Sequence, residues 1–537
     1  MPASARTNKS PMSASIYKKV GIASLIMTAS IFLSRMVGLL REMVIAYIGG
    51  AGAAVDAYQV AFVIPEILNH IVASGFLSVT FIPIFSRYLI EGQEEEGWRV
   101  FSIILNGFGC LLAVLILISV AVTPQLIKLI APGLKNAATI SAAVKMTRII
   151  LPAQLFFFAG GLLMAVQFSK ERFLIPALAP LVYNLGIIVG GFFLGPWLGM
   201  EGFAWGVLIG AFIGNLLVQF LGARKSGLKY SVLFDLRHPD LKKYVVLTLP
   251  LMIGLTMTFS TEFFFRLFGS FLPEGRIAVL NFSLRIMLLL VGLFGQAVGT
   301  ASFPYMARLV AENKLKEMND LLNSTLHYLA LVIPFSVLIM VLRTEIVRIL
   351  FQRGRFDVSD TALTAEVLIY FLVGAFAFAA YTVVVRGYYA SQNTLFPAVY
   401  GTIAVLLSVP LYLAGMKLFG AKGVALAVSL SGILQVMLLY AMWNKRSRNT
   451  GSRGVYRFYL IIILLSIAIG VILAGVKVKL LYLIDTATVT GSLAVSMIIG
   501  VLFLLILFLA GSGLKIKEVR ELFKRLTAKL IRIGTAE

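Results

Sequence analysis

Apolar runs of about 20 residues or more, the length a helix needs to cross a bilayer, recur along the whole chain with short polar or basic breaks between them. Fourteen are read, numbered in chain order: 20–48, 57–86, 100–123, 140–166, 174–195, 199–221, 244–265, 277–305, 320–342, 361–389, 395–415, 419–442, 458–476 and 489–511. Glycine and proline fall inside several, which membrane helices tolerate where neighbours re-satisfy the backbone. The pattern predicts an all-α integral membrane protein.

The runs are also internally related. Shifting the chain against itself by 221 residues, without a gap, brings Pro83 onto Pro304, Arg87 onto Arg308, Gly133 onto Gly354 and Phe157 onto Phe378. The same shift superposes Leu174, Pro176 and Ala177 on Leu395, Pro397 and Ala398, and Gly199, Gly202, Ala204 and Val207 on Gly420, Gly423, Ala425 and Val428. Apolar matches arise easily by chance, but prolines and glycines matched at one offset over roughly 170 residues do not, so the chain reads as a duplication. Six spans, an even number, separate the copies, so the halves are expected to face the same way about an axis along the membrane normal. The plan is two pseudo-symmetric six-helix lobes plus two C-terminal helices. Its expected parts are a cytoplasmic tail (1–19), an N-lobe (20–221), a basic cytoplasmic linker (222–243), a C-lobe (244–442), a basic loop (443–457), spans thirteen and fourteen (458–511) and a basic amphipathic tail (512–537).

Composition agrees. Of 537 residues, 59% are hydrophobic and 13% charged, with a mean hydropathy of +0.94; soluble domains carry about 25% charged residues, so this chain needs lipid as its solvent. The net charge of +23 would point to nucleic acid in a soluble protein. Here it is topological, because cytoplasmic loops of membrane proteins concentrate Lys and Arg. With the N-terminus inside, about 29 cations fall on the cytoplasmic side and about 12 outside, which predicts both termini in the cytoplasm and no nucleic-acid partner. The basic start, MPASARTNKSPMSASIYKK, leads into a long span without a cleavage site and reads as a tail, not a signal peptide. The C-terminal stretch from Leu514 to Ile533 alternates apolar and basic residues at helical spacing, and two readings stay open: a helix on the anionic leaflet, or a solvated one. The single Cys110 and the three histidines, His70, His238 and His327, show no metal-ligand spacing, so neither metal nor cofactor is expected.

Charges at bilayer depth are costly and ask for a partner or a polar cavity. Span one holds Arg35 and Arg41, with Glu42 adjacent to the latter. Six residues turn a helix by about 240° net, so the two arginines share a face only if the helix bends, for which Gly38 is the candidate. Arg285 lies in span eight with no acid close to it in sequence, and an anion that comes and goes accounts for it best. Arg148 and Arg386 are further interior cations, and Asp56, Glu66, Glu262 and Glu366 are acids available to pair with them or to sense protons. The competing reading for each arginine is a structural ion pair or a snorkelling side chain. An excess of guanidinium groups suits a phosphate or pyrophosphate, which the planar fork binds bidentately. Spans thirteen and fourteen, rich in Ile, Leu, Val and Ala, either line a groove for a lipid tail or close the bundle.

The run SRMVGLLREMVIAYIGGAGAAVDAYQVAFVIPEIL (Ser34 to Leu68), then FIPIFSRYL (Phe81 to Leu89) and RGYYASQNTLFP (Arg386 to Pro397), resembles the MurJ/MviN lipid II flippases of the multidrug/oligosaccharidyl-lipid/polysaccharide exporter superfamily. The resemblance extends to the whole chain. It implies a transporter, not an enzyme, that moves undecaprenyl-pyrophosphate-linked peptidoglycan precursor from the inner to the outer leaflet of the bacterial cytoplasmic membrane. It also implies alternation between inward-open and outward-open states, a cationic cavity, and a tail groove on the last two helices. Arg35 and Arg41 match the family's first-helix arginines, Glu42 stands where Asp is commoner, Asp56 matches the acid starting helix two, and Arg285 matches the cavity arginine of helix eight. The chain departs from the pattern at Asn69, His70 and Ser74 in span two, and at Leu288, where family members often place an acid three residues after that arginine. The expected substrate-binding set is Arg35, Arg41, Glu42, Asp56, Asn69, His70, Ser74, Arg285 and Arg386.

The expected partners are the polyprenyl-pyrophosphate lipid and membrane lipids, with the chain a monomer. The empty carrier is expected to be reset by membrane potential or by a coupling ion. The rival readings are a flippase for another polyprenyl-linked saccharide, a drug/cation antiporter of the same superfamily, whose cavity acids would dominate, and a membrane glycosyltransferase or ligase. The enzyme would need carboxylates placed for metal or base work. The acidic cluster Glu91 with Glu94 to Glu96 has the character of a solvated turn.

Overall fold

The computed structural model describes residues 11–73, 76–253, 257–521 and 523–524, and among them the chain is nearly all helical with no strand. Among the described residues nine helices are long and apolar enough to cross a membrane, ten counting the pair Val358–Leu372 and Ala375–Ala390, bent by 44°. They match the expected runs: Glu94–Ala121, Ala137–Ser169, Leu174–Leu198, Glu201–Lys225, Arg276–Gln296, Leu315–Val341, Ser452–Leu481 and Val489–Gly513. Spans eleven and twelve form one 53-residue stretch, Leu395–Ser447, broken by Gly420 at φ 57°. Span one lies in Pro11–Gly49, span seven in Pro239–Ile253 and Met257–Gly269, and span two is split into Ala53–Ala61, Val63–Leu68, a π-turn at Asn69–Ala73 and Phe76–Ile90.

The duplication is written into the backbone. Left-handed residues recur at the 221-residue offset: Gly92 and Asn313, Glu171 and Gln392, Gly199 and Gly420, Gly227 and Arg448. Gly199 (φ 58°, ψ −133°) and Gly420 (φ 57°, ψ −131°) share a conformation that a side chain rarely adopts, so glycine stands at both copies. The ion pair Lys145–Glu201 (2.7 Å) has its counterpart in Glu366–Lys422 (2.6 Å), at the same offset with the charges exchanged. Both copies keep the contact while neither keeps the residue.

By internal packing the chain forms two compact units. Unit one comprises the chain up to Ile45, Ile64–Leu126 and Ser141–Met252; unit two comprises Ala46–Val63, Ile127–Ile140 and the chain from Ile253. In unit one, span five packs along span six through glycines: Gly186, Gly190, Gly206 and Gly210 sit so close to the facing backbone that a Cβ would fall within about 3 Å of it. In unit two, spans thirteen and fourteen pack on span nine, burying Ile462, Ile469, Leu473, Val495, Ile499, Phe503 and Leu507 with Leu331, Ile333 and Val341. Lys477 of the same helix as span thirteen pairs with buried Glu345 at 2.7 Å. At the start of the C-terminal tail Ile516 and Val519 are buried in this apolar cluster, beside the His327–Glu518 contact (3.4 Å); the tail from 525 onward lies outside the described residues.

Candidate functional site

In unit one, the helix Pro11–Gly49 runs uninterrupted through Gly38. Gly38 makes room for another group: a Cβ there would stand 4.0 Å from the Asn184 side-chain oxygen. Asn184 of span five donates Nδ2–H to the Pro180 carbonyl (2.8 Å), which orients its Oδ1 to accept from Arg41 Nη1 at 3.1 Å. Arg41 Nη2 donates to Glu42 Oε1 at 2.6 Å, and Glu42 is buried. The Tyr183 ring lies within electrostatic reach of Arg41 and Glu66. Arg35 is partly buried and has no hydrogen-bond or ion-pair partner among the described residues. Asn69 and His70, both partly buried, open the π-turn of span two, the kind of one-residue insertion that recurs at functional sites. Ser74 lies outside the described residues.

In unit two, the expectation that Arg285 has no carboxylate beside it is corrected. Its Nη1 meets Glu262 Oε1 at 2.9 Å, across from the neighbouring helix Met257–Gly269. Arg266 Nη2 takes the other oxygen, Oε2, at 3.0 Å. The acid that family members often carry after the helix-eight arginine is here Leu288, and span seven supplies the carboxylate instead. Two arginines therefore meet one carboxylate. Arg266 was not among the sequence candidates, although the Glu262/Arg266 spacing of one helical turn inside an apolar run is a signal of it.

Asp56, expected beside the arginines, has another duty. Its buried carboxylate accepts from the backbone N–H groups of Gly275 (2.6 Å) and Ala278 (2.7 Å), capping the helix Arg276–Val291 that carries Arg285. Arg386 is packed on span eight, where a Cβ added to Gly299 would fall 2.0 Å from its Nη1. Two expected interior charges lie elsewhere. Arg148 is exposed and donates Nε–H to the Val120 carbonyl at the end of span three, and Glu366 is exposed in its pair with Lys422. A hollow of about 180 Å³ lined by apolar and tyrosine side chains, including Phe376, Val384, Met437, Tyr456 and Ile463, lies where spans nine, ten, twelve and thirteen meet. Unit one thus presents Arg35 and Arg41, and unit two Arg285, guanidinium groups of the kind that hold an anionic oxygen.

The comparisons bear on what that anion is. The family model described as lipid II flippase MurJ matches residues 45–488. A probable lipid II flippase MurJ of Rhizobium tropici is 26% identical over 509 residues, covering 92% of this chain and 94% of its own. The Vibrio cholerae serotype O1 protein of the same description is 27% identical, covering 82% and 85%. A solved structure of the lipid II flippase MurJ in an inward closed conformation matches with a TM-score of 0.74 at 26% identity, over 91% of this chain and 99% of that one. A multidrug resistance MATE family transporter matches at 14% identity with a TM-score of 0.61, a likeness of fold alone. With more than half its length matched by one family model and a near full-length structural match of the same name, the chain belongs to the lipid II flippase MurJ family.

Proposed function

We propose that this chain is a lipid II flippase of the bacterial cytoplasmic membrane. It carries undecaprenyl-pyrophosphate-linked peptidoglycan precursor from the inner to the outer leaflet by alternating access. The observation that supports the reading is Arg285, 27% exposed beside Glu262 and Arg266, in a membrane-embedded family whose named cargo bears a diphosphate. In this mechanism Arg35, Arg41 and Arg285 bind the diphosphate oxygens, with Asn69, His70, Ser74 and Arg386 available to the head group. Glu42 and Asp56 hold their arginine and helix in place through the contacts above.

The tail remains in lipid along spans thirteen and fourteen, against the apolar hollow. The two lobes, spans one to six and seven to twelve, rock about the bound head group. Binding offsets repulsion among the arginines and favours closure. A potential of about 100 mV is worth about 2.3 kcal/mol per charge, so the empty, positively charged carrier is drawn back inward without a chemical cofactor. The chain works as a monomer with both termini in the cytoplasm and catalyses no bond-making.

The test is leaflet-resolved detection of lipid II in cells depleted of this protein. Lipid II should accumulate in the inner leaflet and disappear from the outer one within the depletion period. An unchanged distribution, with another polyprenyl-linked saccharide trapped inside, would move the cargo assignment to that saccharide.

A further inference from the structure

The three charges that meet between spans seven and eight differ sharply in access. The side chains of Arg266, Glu262 and Arg285 are 2%, 11% and 27% exposed. Arg266 is therefore too deep to touch a substrate, and only Arg285 reaches open space. Each oxygen of Glu262 serves one arginine: Oε2 accepts from Arg266 at 3.0 Å and Oε1 from Arg285 at 2.9 Å. Arg266 and Glu262 stand one turn apart on Met257–Gly269, whereas Arg285 comes from Arg276–Val291.

This arrangement solves a problem that a simple Arg–Glu pair would create. A buried carboxylate that loses its cation is strongly destabilised. Were Arg285 the sole partner of Glu262, any anion drawing Arg285 away would strand that charge, and the cost would be subtracted from substrate affinity. With Arg266 fixed beneath it, Glu262 stays neutralised when Arg285 turns outward. The vacated Oε1 then remains as a seat to which Arg285 returns.

We propose that Glu262 is a resident stand-in for the substrate's phosphate and Arg266 the positioning residue that keeps it charged and in place. Arg285 exchanges between the Glu262 carboxylate and the diphosphate, so release of cargo is driven by an internal competitor. The inference rests on the flippase reading for its cargo, and its class of ligand is a diphosphate.

The test uses the purified full-length chain, with lipid II binding in detergent and lipid II flux in proteoliposomes. Glu262→Gln removes the competitor while keeping the shape. It should tighten lipid II binding about tenfold, a shift of about 1.4 kcal/mol, and slow flux through slower release. Arg266→Met leaves Glu262 dependent on Arg285 and should weaken binding about tenfold, with Arg266→Lys recovering part of the loss. The double variant should bind at least as tightly as wild type, because without the carboxylate nothing remains for Arg266 to position.

A merely structural Arg266 would not be rescued in this way. Glu262→Gln alone carries the test if Arg266→Met does not fold. Binding no tighter in Glu262→Gln, or a double variant as weak as Arg266→Met, would overturn the proposal. Inorganic pyrophosphate titrated in parallel separates the two failures. The same rank order with pyrophosphate but no binding of lipid II would sink the cargo and keep the relay. No rank order with either ligand would sink the relay.

Discussion

Arg285→Ala is expected to lower lipid II flux about 100-fold or more, below what sustains growth, while the protein accumulates at its normal level. The two halves of that expectation follow from one cluster. Truncation removes the arginine that reaches open space, and with it a charge-assisted fork on the diphosphate. It does not strand a buried acid, because Glu262 keeps its 3.0 Å bond to Arg266. The loss should therefore appear in transport and not in folding. Lysine at the same position should restore only part of the flux, since an ammonium keeps the charge but cannot present two parallel donors. Complementation of a flippase-depleted strain, read beside immunoblots of the membrane fraction, measures both. Full growth of Arg285→Ala cells would remove this residue from the mechanism.

The second large effect lies within unit two, on a face where segments from the two halves of the sequence meet. Gly133 and Gly354 are equivalent under the duplication, and each is pressed against the other half's sequence. A Cβ on Gly133 would stand 2.4 Å from the backbone N and Cα of Phe271. One on Gly354, itself at φ +60°, would stand 2.4 Å from the Tyr47 carbonyl oxygen. The surrounding bonds tie the same segments together: Gly133 N–H to Ser270 Oγ (3.1 Å), Asn136 to Glu274 (2.9 Å), Arg355 N–H to the Tyr47 carbonyl (2.9 Å) and Ala51 N–H to Asp360 (3.0 Å).

Backbone is the obstacle at both glycines, so no side-chain rotation relieves the clash. Gly133→Val or Gly354→Val should force this face apart. A bias of about 3 kcal/mol would shift a two-state carrier roughly 100-fold toward the form open on that side and stall the cycle. Maleimide labelling of Ser270→Cys, in a Cys110→Ser background, should rise several-fold in either valine variant as flux falls. Unchanged labelling with unchanged flux would show that the packing is incidental.

These sites were unequally legible in the sequence. The spans are visible because an apolar run must be long enough to reach across lipid, and runs do not depend on what they pack against. The interruptions are not visible, since the π-turns Asn69–Ala73, Phe212–Leu217 and Gly292–Gln296 each add a residue to a helix without changing its composition. The duplication was legible through prolines and glycines, which answer to backbone geometry. It was invisible at Lys145–Glu201 and Glu366–Lys422, where the contact persists but the charges have changed places.

Arg285 could be nominated from its place in an apolar run, and Glu262 as one of four acids available to pair, but that these two meet could not be read. The partner sits on the preceding span, and nothing in one sequence records which helices adjoin. Asp56 was nominated for its charge, whereas its role comes from the orphan N–H groups at the start of the next half's second helix. The sequence thus exposes the expensive residues, and the fold decides what each one is set against.

The most direct test of the account is reconstitution. The purified chain, placed in proteoliposomes that contain lipid II and an imposed membrane potential, should move lipid II between leaflets well above protein-free vesicles. The triple variant Arg35→Ala/Arg41→Ala/Arg285→Ala, inserted to the same density, should not. Lipid II moved equally by both proteins, or by neither, would contradict the claim that these arginines carry a diphosphate lipid across the membrane.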